Sequence, residues 1–266
     1  MADTNTIQEV IDYLHSIAPN HLQEAYDNAG LIVGSAKTVC TGVVTCLDST
    51  EAVVDEAISQ GANLIVAHHP IVFSGLKRFN GTSYVERVVM KAITQGVAIF
   101  AIHTNLDNVQ QNGVNHQIAD RIGLQDTQIL LPKNPNNITI GSGMVGTLVE
   151  PMEELDFLHH LKQVMQVNVI KYTALRGKKV AKVAVCGGSG GFLLESAVAA
   201  GADIFITADY KYHEYFDADG RIIIADIGHY ESEQFTSDLL QELISNKFST
   251  FAARCTEIKT NPVKYL

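Results

Sequence analysis

The chain has 266 residues, 46% hydrophobic and 18% charged, with a formal net charge of -10. This supports one large core or two smaller ones and excludes an intrinsically disordered chain. The acidic balance and the lack of a dense Lys/Arg cluster argue against nucleic-acid binding, although bound cations let an acidic protein take an anionic substrate.

In chain order, Ile7, Val10, Ile11, Leu14 and Ile17 recur at helical spacing and predict an amphipathic helix over 6–17, stopped by Pro19. The segment A-Y-D-N-A-G-L-I-V-G (25–34) reads as a turn feeding a short strand. A βαβ pattern follows, with a strand at 41–47, a helix at 50–60 stopped by Gly61, and a strand at 63–67 ending in A-H-H-P (67–70). A helix over 84–95 stops at Gly96, and the strand 97–102 ends in H-T-N-L-D (103–107), before a helix over 113–122. Residues 125–143, rich in Pro, Asn and Gly, predict an irregular connection at a domain boundary. Beyond it lie a strand at 144–149, a helix at 153–165 and a strand at 180–185. C-G-G-S-G-G (186–191) reads as a turn into a helix over 192–200, stopped by Gly201. Strands at 204–207 and 221–227 follow, the second ending in G-H-Y-E-S-E (228–233), and a helix runs over 233–243.

E-A-I-S-Q-G-A-N-L-I-V-A (56–67) returns about 140 residues later as E-S-A-V-A-A-G-A-D-I-F-I-T (195–207). The expected fold is therefore α/β, with two related units whose mainly parallel or mixed sheets are flanked by helices. The expected domains are 1–126 plus 228–266, and 127–227. Ligands in such sheets collect at the carboxyl ends of the strands, where the His-bearing motifs fall.

His68 and His69 leave one strand end together, and on an extended chain they point to opposite sides. His103 and Asp107, like His229 and Glu233, are four apart, a spacing that puts a nitrogen and a carboxylate on one helical face. Singly each is a weak signal. Jointly, four imidazoles and two carboxylates without a thiolate suit Zn, Fe, Mn or Co, and a pair of such ions needs a bridging carboxylate, for which Glu233 is the candidate. Asp27 and Asn28 read as an Asx turn or a supporting contact. Asp48 either caps the helix over 50–60 or supports His68. C-G-G-S-G-G is a weak candidate for a phosphate cradle. His213 is a candidate general acid or base, and His15, His21, His116, His159 and His160 read as solvated. Cys40, Cys46, Cys186 and Cys255 include no C-x-x-C pair and read as reduced, mostly buried thiols. With no secretory signal and no apolar run long enough for a bilayer, a cytoplasmic location is expected.

Taken in order, D-N-x-G-L-x-V-G (27–34), A-H-H-P, H-T-N-L-D, C-G-G-S-G, A-D-Y-K-Y-H-E (208–214) and G-H-Y-E-S-E resemble the Nif-three-like family, also known as GTP cyclohydrolase type 2 homologues. The chain departs from the family pattern at Tyr26, where many members carry Trp, and at Ala208-Asp209, where Gly-Asp is common. The resemblance implies two divalent metal ions per chain, held by His68, His69, Asp107, His229 and Glu233 with His103 close by. It also implies a toroidal homohexamer, and the chain's length matches the short form without an inserted middle domain. The expected function is a dinuclear metal-dependent hydrolase acting on a nucleotide or phosphoester-type small molecule, with His103 or His213 moving protons. The alternative is a non-catalytic metal-binding or metal-delivery protein.

Overall fold

The computed structural model describes residues 4–266. In chain order the elements are α1 (Ile7–Ile17), β1 (Gly30–Val33), β2 (Val43–Cys46), α2 (Glu51–Ser59), β3 (Leu64–Ala67), α3 (Tyr84–Gln95), β4 (Ala98–Ala101), α4 (Thr104–Asp107) and α5 (Val114–Ile122). They continue with β5 (Leu124–Asn134), β6 (Asn137–Glu153), α6 (Glu154–Val164), β7 (Lys171–Tyr172), β8 (Lys179–Ser189), α7 (Leu194–Ala199), β9 (Ile204–Ala208), β10 (Ile223–Asp226), α8 (His229–Glu233), α9 (Thr236–Lys247) and β11 (Ala253–Cys255). Two compact units result. The first comprises the chain up to Leu106 with Thr236–Lys264, and the second Asp107–Phe235 with Tyr265–Leu266.

The first unit holds a sheet ordered β1-β4-β3-β2-β11. β4, β3, β2 and β11 run parallel, and β1 is antiparallel on the edge. Every residue of β2, β3 and β4 is buried, because helices cover both faces. Val44, Ile65, Ala67 and Ile99 face α2 and α3, which contribute Val53, Val54, Ala57, Val88, Val89 and Ala92. Phe100 points the other way, its ring 5.5 Å from that of His15 on α1. His15 is thus half-buried rather than solvated, and burial lowers its pKa. A capping box starts α1: the Glu9 amide donates to Thr6 Oγ1, and the Thr6 amide donates to Glu9 Oε2 at 2.7 Å.

The second unit holds a sheet ordered β5-β6-β8-β9-β10-β7, in which β8, β9 and β10 are parallel and the outer pairs antiparallel. The chain is thus an α/β protein with two mixed sheets. Residues 125–143 belong to a long hairpin, β5–β6, rather than an irregular connection. Pro132 is tolerated because β5 is an edge strand, and the Asn residues cluster at the tip, where the Asn134 side chain accepts from the Asn136 amide. The repeat read from the sequence is real at this level: β2–α2–β3 and β8–α7–β9 are both parallel βαβ steps. The glycines ending α2 and α7, Gly61 and Gly201, share the left-handed conformation with φ 70° and 72°. The C-terminal helix is two helices, with α8 carrying His229 and Glu233 and α9 beginning at Thr236. Among the described residues, no helix is long and apolar enough to cross a membrane.

Candidate metal centre

In the first unit the carboxyl ends of β2, β3 and β4 lie side by side, which brings together the residues that follow each strand. The His68 amide donates to the Cys46 carbonyl at 3.0 Å and the His69 amide to the Leu47 carbonyl at 2.9 Å, so the backbone is pinned through the end of β3. The chain bends there, and the two imidazoles do not point to opposite sides. Their ring centroids are 4.9 Å apart, and His103 completes the triangle at 5.2 Å from His68 and 5.4 Å from His69. One ligand nitrogen from each of the three lies within 4.8 Å of the others.

Each ring is fixed through Nδ1. That of His68 lies 2.9 Å from the Ile102 carbonyl, that of His69 2.9 Å from Asp48 Oδ1, and that of His103 2.8 Å from Asp27 Oδ1. A carbonyl or carboxylate oxygen only accepts, so these partners assign the proton to Nδ1 and make Nε2 the lone-pair nitrogen. Asp48 therefore supports His69, not His68. It does not cap α2 either, because Thr50 does, accepting from the Val53 amide. The second oxygen of Asp48 accepts from Thr260 Oγ1 at 2.9 Å. Asp27 has a fully buried side chain and also accepts from the amide and hydroxyl of Thr104 and from the Asn28 amide. Burial opposes its ionisation, but the hydrogen bonds from His103 and Thr104 and the charge of His103 outweigh it and hold the carboxyl at about 2.

In the second unit α8 follows β10 and presents His229 and Glu233 on one face, with Nε2 3.2 Å from Oε2. His229 Nδ1 lies 2.7 Å from Asp209 Oδ2, the same anchoring again. Glu233 is buried, and one of its oxygens lies within 4.8 Å of an oxygen of Asp107. Burial, and then the charges of Asp107 and Glu233, push the nearby Cys186 thiol far up.

The glycines of 186–191 have a different purpose from the phosphate cradle considered above. The strand β8 runs on through Ser189, and the amides of Gly187, Gly188 and Gly190 donate to Asn115 Oδ1, Ser232 Oγ and Thr207 Oγ1, each at 2.9 Å. A Cβ on Gly188 would stand 2.5 Å from Glu233 Oε1 and 3.2 Å from His229 Cε1. These glycines let the carboxylate and imidazole lie against the backbone.

His213 joins none of these groups. It is exposed on a 3-10 turn over 212–218, its ring against Tyr212 at 5.2 Å. Asp209, the partner of His229, is the residue of this cluster that sequence reasoning passed over. The available signal was its place directly after an apolar strand, matching Asp48 after β2.

The donor set fits divalent cations of the Zn, Fe, Mn or Co class: imidazoles with anchored Nδ1 atoms, the buried carboxylate of Glu233 and the half-buried one of Asp107. Clusters of His, Asp and Glu able to bind metal are therefore present.

Known proteins of the same kind surround the chain. It is 32% identical to a Clostridium perfringens protein named GTP cyclohydrolase 1 type 2 homolog over 228 residues, 85% of this chain and 86% of that one. A Staphylococcus epidermidis protein of the same name is 27% identical across 97% of this chain and 99% of its own length. That alignment runs to 369 positions, so the relative is longer than the 266 residues here. Among solved structures, a Bacillus cereus protein related to NIF3 superposes with a TM-score of 0.91 at 26% identity, covering 100% of both chains. A Staphylococcus aureus hypothetical protein also gives 0.91 at 26% identity, over 99% of this chain and 100% of that one. With the family model matched over residues 5–262, the chain belongs to the Duf34/NIF3 (NGG1p interacting factor 3) family.

Proposed function

We propose that this chain is a dinuclear metal-dependent hydrolase acting on a nucleotide or phosphoester-type substrate, with His68, His69, Asp107, His229 and Glu233 as the metal ligands. The observation that carries this reading is the common anchoring of the four imidazoles. Each has its Nδ1 on an oxygen acceptor, so each offers Nε2 as a donor of fixed direction. A core histidine needs no such uniform arrangement.

A bound pair of divalent ions supplies Lewis-acid activation of water and of the scissile group. The protein's part is to hold the donors rigid. Asp48 and Asp209 orient His69 and His229, the Ile102 carbonyl orients His68, and the glycine backbone at 187–188 seats Glu233. His103 is the proton carrier in this reading. Its Nδ1 proton is committed to Asp27, which leaves Nε2 to take up and return a proton. His213, on its exposed turn, is the second candidate for that role. The name borne by the relatives places GTP among the substrates to be tried, and the assembly proposed is the toroidal homohexamer.

The experiment is metal analysis of protein purified without chelator or His tag, followed by a panel of nucleotides and phosphoesters with His68→Ala and Glu233→Ala as controls. Two ions per chain and turnover lost in both variants support the hydrolase. Two ions without turnover on any substrate assign a metal-binding or delivery protein instead, and absence of bound metal removes both readings. A solution mass of six chains checks the assembly.

A further inference from the structure

Two of the carboxylates that anchor imidazoles have their other oxygen capped by a threonine hydroxyl. Asp27 Oδ2 accepts from Thr104 and Asp48 Oδ2 from Thr260, while Oδ1 of each faces Nδ1 of its histidine. Asp209 breaks the pattern. Its Oδ2 takes His229 Nδ1, and among the described residues nothing caps its Oδ1. Asp209 instead borders a cavity of about 530 Å³ within the second unit, a size suited to a small molecule. Phe192, Leu194, Tyr210, Glu214 and Asp217 stand in the same wall. Tyr210 is 7% exposed, and its hydroxyl is buried without a hydrogen-bond partner. The ring carbon that bears this hydroxyl would lie 3.8 Å from a Cβ on Gly191, another wall residue, so the hydroxyl end of the ring borders the cavity. A buried hydroxyl left unpaired costs free energy that a ligand able to pair with it recovers.

Charge selects the occupant. Three carboxylates, of Asp209, Glu214 and Asp217, line the cavity against one cation, Lys211. Lys211 Nζ lies 3.7 Å from Glu214 Oε1, so that pair compensates itself. Arg221 reaches Asp217 only at its backbone carbonyl, with the guanidinium forked onto Glu195. Asp209 Oδ1 and the Asp217 carboxylate are thus left without a cation. The oxygens of the three acids do not gather within 4.8 Å of one another, as the ligand atoms of each metal-capable cluster do, so a single metal ion does not suit them. Phe192 is 66% exposed and touches no other ring, which leaves its face open to a cation. We infer that this cavity binds an organic diammonium ion of the alkyl polyamine type. One ammonium sits on Asp209 Oδ1, in the place a threonine hydroxyl fills at Asp27 and Asp48, and donates to the Tyr210 hydroxyl oxygen. The other pairs with Asp217, and the methylenes lie against Phe192 and Leu194. Because the second oxygen of Asp209 holds His229, a bound ammonium acts on the imidazole through one carboxylate. The site uses none of the proposed metal ligands and stands apart from the hydrolase reading.

Calorimetric titration of the full chain with putrescine and spermidine at physiological ionic strength tests this. Saturable binding is expected, with 1,4-butanediol not binding and n-butylamine weaker than putrescine. Asp217→Asn and Phe192→Leu should each weaken putrescine by about fivefold or more. Tyr210→Phe should weaken it too, yet unfold no earlier than wild type without ligand, since it removes a buried hydroxyl that has no partner. Thermal unfolding of Phe192→Leu should not move, because the ring is exposed. Binding should survive treatment with a chelator. The inference is overturned if putrescine does not bind saturably, if magnesium at equal concentration displaces it, if Asp217→Asn and Phe192→Leu both bind like wild type, or if chelation abolishes binding, which would place the amine on the metal. Binding is scored without turnover, so its outcome is independent of whether the chain proves to be a hydrolase.

Discussion

Asp209 Oδ2 stands 2.7 Å from His229 Nδ1, and Asp209 adopts a left-handed backbone with φ 61° to put it there. A non-glycine residue in that region costs free energy that the surrounding structure must over-determine. The carboxylate explains why the position is not glycine. Asp209→Ala is expected to lower metal affinity about 10- to 100-fold while leaving the fold intact. Competition with a chromogenic chelator measures it; unchanged affinity would assign Asp209 a purely local role.

Gly188→Ala tests the second-unit site from the backbone side. The residue has φ 62°, and a new Cβ would collide with the Glu233 carboxylate. A loss of about 1–3 kcal/mol in stability is expected from the strained conformation, together with reduced metal occupancy. Urea unfolding of metal-free protein separates the two effects.

Asp27 gives a pH signature. Its folded-state pKa of about 2 lies below its ordinary 3.8, so its contribution to stability is complete above the ordinary value and fades as pH falls toward 2. Asp27→Asn should cost about 2 kcal/mol near neutrality. That difference should stay level down to about pH 5 and shrink between about pH 4 and pH 2. Denaturant unfolding of both proteins across the range measures it; a difference that persisted at pH 2 would assign the loss to packing rather than charge.

Metal removal should destabilise the protein. Without cations, oxygens of the Asp107 and Glu233 carboxylates face each other within 4.8 Å. Each ion present at a hundred times its dissociation constant adds about 2.7 kcal/mol. Dialysis against a strong chelator should lower the melting temperature, and readdition of metal should restore it. A melting temperature indifferent to both treatments would argue against a resident metal.

Much of the fold was legible because its signals are local. The buried strands β2, β3, β4 and β9 are short apolar runs, and the glycines after α2, α3 and α7 mark where left-handed backbone ends each helix. The hairpin β5–β6 was not legible. An edge strand carries Pro132 without penalty, and its weak alternation resembles a loop until its partner strand is known. The extension of β8 through Gly187 and Gly188 was hidden for a similar reason: a Gly-rich run reads as a turn unless the side chains lying against it are seen.

The sequence by itself determined the inventory: an α/β chain with a repeated βαβ step, imidazoles and carboxylates at strand ends, and motifs that resemble one family. Tertiary structure decided the pairings. Asp48 meets His69 and not His68, Asp27 reaches His103, Asp209 reaches His229, and Tyr26 meets Phe73. Periodicity is set between near neighbours, whereas these contacts join residues far apart in sequence: Asp48 and His69, like Asp209 and His229, follow neighbouring parallel strands, and Asp27 reaches His103 across the antiparallel β1–β4 edge, so each pairing is fixed only once the strands are assembled.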